Sequence, residues 1–192
     1  MKKILLSLFL GIFFAGVVSA AEAAWFSKKF PAELINASGK KVKTEKALQG
    51  KTVAVYFSAS WCGPCRGFTP QLVNFYKRAA KKNNLEIVFI SSDKTADAMM
   101  QYMKKDKMPW LAVPQDSPLA KALQRELKVN GIPTLVVFDQ NGKVISTNAR
   151  WDVVKLGAKA PAAWKSSNYK PLTYQDVTKN SKSKRKSKRK NK

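Results

Sequence analysis

Thr52 to Ser58 is a continuous apolar run, Leu85 to Ser91 reads as a second buried strand, and the segment between them is apolar only at helical spacing. Thr52 to Ser58 (Thr-Val-Ala-Val-Tyr-Phe-Ser) and Leu85 to Ser91 are β-rich runs of the kind that form strands covered on both faces. Between them Phe68, Leu72, Phe75, Tyr76 and Ala79 recur at spacings of three and four, which predicts a helix from Gly63 to about Lys82 with one apolar face. Pro70 lies inside that helix and is expected to kink it, and Asn83-Asn84 makes the following turn. Strand, helix and strand in this order imply a right-handed parallel crossover, with Thr52 to Ser58 central in the sheet.

Weaker patterns flank this unit. Glu33 to Asn36, a Ser38-Gly39 turn and Val42 suggest a small hairpin, and Glu45 to Leu48 one helical turn ended by Gly50. Downstream, Thr95 to Lys105 reads as a helix, Met108 to Pro114 as an apolar loop, and Pro118 to Leu127 as a helix opened by Ser117 as N-cap. Thr134 to Asp139 reads as a strand, Asn141-Gly142 as a hairpin turn and Lys143 to Thr147 as the returning strand. Beyond Arg150 the pattern fades, leaving a short helix from Lys155 to Trp164 interrupted by Pro161.

The two ends of the chain differ from its middle. Lys2 and Lys3, the apolar run Ile4 to Val18 and the small residues Val18-Ser19-Ala20 read as an export signal cleaved after Ala20. An uncleaved anchor is the alternative, although the run falls short of the roughly 20 residues that span a bilayer. Residues 180–192 contain only Ser, Lys, Arg and Asn, cannot bury apolar surface and should be disordered. The expected organisation is a signal at 1–20, a linker at 21–32, one domain at 33–150, a C-terminal extension at 151–178 and a basic tail at 179–192. The formal charge is +24. Without Lys2, Lys3 and the nine basic residues of the tail, 25 basic residues still face 12 acidic ones, a formal +13. Such a field attracts anionic surfaces and weakens with salt.

The chain has two cysteines, Cys62 and Cys65, and no histidine. Ser-His and Cys-His nucleophile pairs are thereby excluded, and an ordinary structural zinc site lacks ligands. No metal or cofactor is expected. Cys62 follows the first strand by four residues and opens the long helix, where free N–H groups and the helix dipole favour thiolate, lowering a thiol pKa from about 8.5 to roughly 3.5–7.5. Side chains three apart on a regular helix have Cβ atoms about 5–6 Å apart, too far for a disulfide, so Cys62 is expected off the helical path at the cap. Gly63 supplies permissive backbone angles there, and Pro64 suits the first turn because its missing N–H had no partner. Cys65, one turn inside, is expected to be buried and to act second. Two unpaired core cysteines or a purely structural bridge are the alternatives, opposed by the strand before, the Gly-Pro centre and the helix after.

The segment Tyr56 to Pro70, with Trp61-Cys62-Gly63-Pro64-Cys65 at its centre, resembles the thioredoxin superfamily. The Ser58-Ala59-Ser60-Trp61 start, Arg66 to Pro70, Phe75-Tyr76, and Met108 to Pro114 around Trp110 resemble its tryparedoxin and nucleoredoxin branch more narrowly. The resemblance covers about residues 33–150. It implies an α/β thioredoxin-like fold, a central mixed β-sheet flanked by helices, with an insertion before the cis-proline strand. It further implies that Pro133 in Gly131-Ile132-Pro133-Thr134 is cis and packs against the cysteine pair, that Ile132 offers its backbone to a substrate chain, and that Trp61 shields the site; a core aromatic is the other reading of Trp61. Trp110 and Tyr56 are carried as structural or substrate-contact positions. Two departures stand out: the branch usually has Pro-Pro between its cysteines, and general thioredoxins carry a buried aspartate where this chain has Tyr56. Another group must then help deprotonate Cys65, and Asp93, just past the second strand of the parallel pair, is the carboxylate that topology brings nearest; a solvated loop residue or a cap for the helix from Thr95 is its other reading.

The expected activity is thiol:disulfide exchange on protein or small-molecule disulfides, reset by an external electron donor, in an exported protein whose tail meets an anionic envelope surface. Oxidase or isomerase activity is the alternative within the class. A thioredoxin-like binding module with a structural disulfide, docking to anionic surfaces, is the alternative outside it. No nucleic-acid module is recognisable.

Overall fold

The computed structural model describes residues 25–178. The expected export signal and basic tail lie outside the described residues. Seven strands form one mixed sheet: β1 (Glu33–Ile35), β2 (Lys41–Lys43), β3 (Thr52–Ser58), β4 (Leu85–Ser91), β5 (Leu111–Ala112), β6 (Thr134–Phe138) and β7 (Val144–Ser146), in the spatial order β2-β1-β5-β4-β3-β6-β7. Helices that frame the sheet include α1 (Thr44–Leu48), α2 (Gly63–Asn83), α3 (Ala96–Lys105), α4 (Pro118–Glu126), α5 (Arg150–Leu156) and α6 (Ala160–Trp164).

The apolar runs explain the layers. Side chains alternate across a strand, so Ala54 and Tyr56 of β3 join the core under α2 and α3, while Val53, Val55 and Phe57 join a second core with Leu48 of α1 and Leu123 of α4. Both faces of β3 are therefore dry, as its uninterrupted apolarity requires. Each fully buried large side chain contributes about 1.5–3 kcal/mol, and the face of α2 supplies Phe68, Leu72 and Phe75. β3 and β4 pair in parallel from Thr52↔Leu85 to Ser58↔Ser91, the crossover read from the sequence. β6 runs antiparallel on the other side of β3, with Phe57 opposite Thr134, which brings the residues just before β6 to the end of β3 that leads into the cysteines.

Three expectations change in detail. Met108 to Pro114 is more than a loop: Leu111 and Ala112 form β5, parallel to β4 and antiparallel to β1, a pairing too short to leave a periodic signal. Pro161 starts a helix instead of interrupting one, because it lies in the first turn of α6, where its missing N–H costs nothing. Ser117 precedes α4 but its side chain makes no capping bond. The core also reaches beyond 33–150, since Phe26 and Phe30 are buried from the stretch read as a linker, and Val153, Ala160 and Trp164 from the stretch read as an extension. Trp164 meets the Phe75 ring of α2 edge-on at 5.9 Å. Among the described residues no helix is long and apolar enough to cross a membrane.

Candidate active site

Cys62 is the N-cap of α2, with an extended backbone (φ −83°, ψ 108°), and Cys65 follows in the first helical turn. Leaving the helical path at the cap brings their sulfurs into a disulfide with Cα atoms 5.2 Å apart. The Cys65 N–H donates to Cys62 Sγ at 3.2 Å, so the sulfur receives one of the N–H groups a helix start leaves unpaired. Cys65 is fully buried and Cys62 nearly so, at 0% and 6% exposure, which puts Cys62 on the outer side of the pair. Gly63 does not play its expected part. It is absent from the positive-φ glycines and a Cβ there would meet nothing within 4 Å, because the change of path is made at Cys62 itself. Pro64 occupies the first turn as expected.

The Ile132-Pro133 peptide bond is cis. The Ile132 carbonyl lies 3.8 Å from Cys62 Sγ, and Ile132 packs against the small cluster formed by Ala59, Cys62 and Cys65. This contact follows from β6 lying beside β3. Trp61 is 63% exposed, which removes the core reading, and its indole N–H donates to the Ser92 carbonyl at 3.3 Å. Trp110 is buried at 1% exposure and meets the rings of Tyr56 and Tyr76 edge-on, so its place is structural.

Tyr56 is buried beneath the site. Its hydroxyl is hydrogen-bonded to Thr69 Oγ1 at 2.8 Å, Thr69 Oγ1 to Tyr102 at 2.6 Å, and Tyr102 to Ser58 Oγ at 3.1 Å. Thr69 Oγ1 also bonds to the Cys65 carbonyl at 2.9 Å, tying this hydroxyl chain to the helical turn that carries the second cysteine. Burial above all, with Tyr102 alongside, holds the Tyr56 phenol well above its ordinary value.

Asp93 stands at the end of β4 as parallel pairing predicts, 4% exposed. Its Oδ1 accepts from the Ser60 N–H at 3.0 Å and from Ser60 Oγ at 2.7 Å, and its Oδ2 accepts from Ser91 Oγ at 2.7 Å. Gln115 donates to the Asp93 carbonyl. The carboxylate thus grips the segment two residues before Cys62. Its side-chain bonds go to the two serines and not to Cys65.

Sequence reasoning missed Ser60, Thr69, Tyr102 and Arg150. Arg150 donates to the Pro133 carbonyl at 3.2 Å and lies over the Trp151 ring at 4.1 Å, and burial pushes its guanidinium below the ordinary value. It sits where the hydrophobic pattern has faded, and an isolated arginine carries no periodic signal. Thr69 and Tyr102 could be read only as polar positions on otherwise apolar helical faces. Among the described residues no cluster of His, Cys, Asp and Glu could hold a metal ion.

Residues 50–144 match the family model described as thioredoxin-like. Tryparedoxin of Trypanosoma brucei brucei is 44% identical over 120 residues, 62% of this chain and 82% of that protein. Probable nucleoredoxin 1 of Arabidopsis thaliana is 44% identical over 128 residues, 66% of this chain but 22% of that protein, and human nucleoredoxin is 37% identical over 139 residues, 31% of its length. The chain therefore spans about a fifth to a third of these nucleoredoxins. Among solved structures, tryparedoxin II of Crithidia fasciculata matches with TM-score 0.65 and 42% identity over 70% of this chain and 94% of that one. Tryparedoxin II complexed with glutathionylspermidine matches with TM-score 0.66 and 39% identity over 77% and 100%. A 44% identical tryparedoxin covered over 82% of its length, together with the matching family model and the tryparedoxin structures, shows that the chain belongs to the thioredoxin-like family and has tryparedoxin and nucleoredoxin homologues.

Proposed function

We propose that this chain is a thiol:disulfide oxidoreductase of the protein-disulfide reductase type, working through Cys62 and Cys65. The observation that carries the reading is the position of Cys62 Sγ: at the N-cap of a 21-residue helix, receiving the Cys65 N–H, and 3.8 Å from the carbonyl before the cis-proline. In the reduced protein the Cys62 thiolate attacks one sulfur of a substrate disulfide, forms a mixed disulfide and releases the other sulfur as a thiol after it takes up a proton. Cys65 loses its proton and attacks Cys62 Sγ, which releases the second substrate thiol and closes the Cys62–Cys65 bond. Two electrons pass to the substrate, and an external dithiol donor returns them. Asp93 is the proposed base for Cys65, because its grip on Ser60 keeps it beside the motif.

The substrate is a protein or small-molecule disulfide. A related tryparedoxin holds glutathionylspermidine, which supports the small-molecule side of this reading. The basic, apolar and small-residue pattern of the first 20 residues supports export to the periplasm or extracellular space, and the tail's nine positive charges support docking to an anionic envelope surface. Turnover of a model disulfide with a dithiol reductant tests the activity: Cys62→Ser should abolish it, and Cys65→Ser should trap a mixed disulfide. Unchanged turnover in Cys62→Ser would leave the bridge as a structural one.

A further inference from the structure

We propose that the basic groove on α4 and the turn after it is a docking site for an acidic segment flanking the substrate's disulfide, a selectivity that rests on the disulfide exchange proposed above. The groove, about 610 Å³, is lined by Lys121, Gln124, Arg125, Lys128, Val129 and Asn130. Lys121 and Arg125 lie one turn apart on the same face of α4, and Lys128 follows with a left-handed backbone, φ 51°. All three are exposed, and none has an ion-pair partner among the described residues. The single carboxylate of α4, Glu126, is engaged by Lys29, so the groove's positive charge is not cancelled from within.

Its place in the fold gives that charge a use. Asn130 ends the groove and Gly131 begins the cis-proline loop, whose Ile132 carbonyl stands 3.8 Å from Cys62 Sγ. Four residues span at most about 14 Å, so Lys128 lies within that distance of Ile132 along the chain. A substrate whose disulfide sulfur reaches Cys62 beside Ile132 therefore has its neighbouring residues within reach of Lys128, the nearest along the chain of the groove's three unpaired cations. Carboxylates on those residues would meet complementary charge, whereas lysines there would be repelled. The overall positive field alone would attract any anion without regard to where its charge lies.

The test uses peptide disulfides of one length whose cysteine is flanked by four Asp/Glu or by four Asn/Gln residues, and reads the ratio of their kcat/KM values. The combined variant Lys121→Gln, Arg125→Gln, Lys128→Asn removes the groove's charge and keeps a residue that tolerates the left-handed backbone at 128. The control variant Lys46→Gln, Lys77→Gln, Lys81→Gln removes three exposed cations elsewhere. The acidic-to-neutral ratio should fall about tenfold in the groove variant and hold within about twofold in the control. Equal falls in both variants, or no fall in either, would overturn the proposal. Binding of the acidic peptide with Ser in place of Cys, followed by fluorescence anisotropy, separates the two readings. If no peptide is turned over but this binding is lost in the groove variant alone, the exchange reading fails and the groove stands; if turnover is normal and binding is unaffected, the groove fails alone.

Discussion

Asp93 and Asp152 are buried carboxylates of equal hydrogen-bonding capacity, and the protein uses them on objects of different range. Asp93 accepts from Ser60 N, Ser60 Oγ and Ser91 Oγ, and so joins the ends of two adjacent parallel strands beside the cysteines. Asp152, fully buried, accepts from the Trp164 indole N–H at 3.0 Å, the Tyr169 hydroxyl at 2.6 Å and the Leu172 N–H at 3.1 Å. Its partners lie 12 to 20 residues further along the chain. They fold the C-terminal stretch back onto α2 through Trp164 and Phe75. The first carboxylate shapes an active site and the second closes an appendage over the core. Burial and saturation are thus poor guides to catalysis on their own; what decides is whether the partners lead to the reacting atoms.

The largest effect belongs to Asp152. Asp152→Ala leaves a buried indole N–H, and a partly buried tyrosine hydroxyl and backbone N–H, without their acceptor, which costs about 3 kcal/mol. For a chain of this size the thermal midpoint should drop by about 10 °C, while disulfide turnover per folded molecule stays as it was. Loss of turnover in molecules that circular dichroism shows to be folded would mean that the C-terminal stretch reaches the active site and that the contrast with Asp93 is wrong.

The same contrast explains what could be read in advance. The cysteine motif, the parallel pair and the end of the sheet holding Asp93 were legible, because two largely apolar β-rich runs and a strong helical period leave little freedom in how β3, α2 and β4 connect. Cis-Pro133 came through family resemblance, since nothing in the residues around it fixes the isomer. Asp152 was not legible: its partners are single polar atoms of Trp164, Tyr169 and Leu172, spaced without a period and separated by Pro161. Gly63 was over-read, since a glycine between two cysteines suggested a special backbone where the extended conformation of Cys62 sufficed. The hydroxyl chain of Tyr56, Thr69 and Tyr102 was invisible because it forms between β3, α2 and α3 only once they pack.

An intermediate effect separates the two regions by pH. Each has a tyrosine whose phenol is held above its ordinary value: Tyr56 chiefly by burial, and Tyr169 by burial and then by its bond to Asp152. A raised phenol pKa contributes stability that is complete below the unfolded value near 10 and is lost as pH climbs above it. Urea unfolding between pH 8 and 11.5 should therefore show stability falling above pH 10. Tyr56→Phe should flatten that fall by up to about 1.4 kcal/mol per pH unit, at a cost of about 1 kcal/mol at pH 8 for the bond lost to Thr69. Tyr169→Phe should flatten it less, because Tyr169 is half-exposed and water screens its site. Equal flattening by both would place the two phenols in equivalent surroundings.

The smallest and most diagnostic effect is expected at Asp93. Asparagine keeps the shape and one carboxamide oxygen, which can still accept from Ser60 N and Ser60 Oγ, and its amide can donate to Ser91 Oγ, which is able to accept. Asp93→Asn should therefore lower stability by less than about 1 kcal/mol and leave the Ser60 to Cys62 segment in place. What it removes is the charge and the ability to take a proton. If Asp93 is the base for Cys65, resolution of a preformed mixed disulfide at Cys62 should slow about tenfold near neutral pH, a barrier change of about 1.4 kcal/mol. The deficit should shrink toward pH 9, where hydroxide and buffer bases take the proton, and the first attack by Cys62 should change little. Asp93→Ala adds the loss of the grip on Ser60 and should slow the attack as well as the resolution. Stopped-flow tryptophan fluorescence, with Trp61 exposed beside the pair, resolves the two steps. If resolution in Asp93→Asn follows the parent across pH 6 to 9 while Asp93→Ala is slow in both steps, Asp93 positions the motif as Asp152 positions the extension, and the proton must leave Cys65 by way of water or the buried hydroxyl chain.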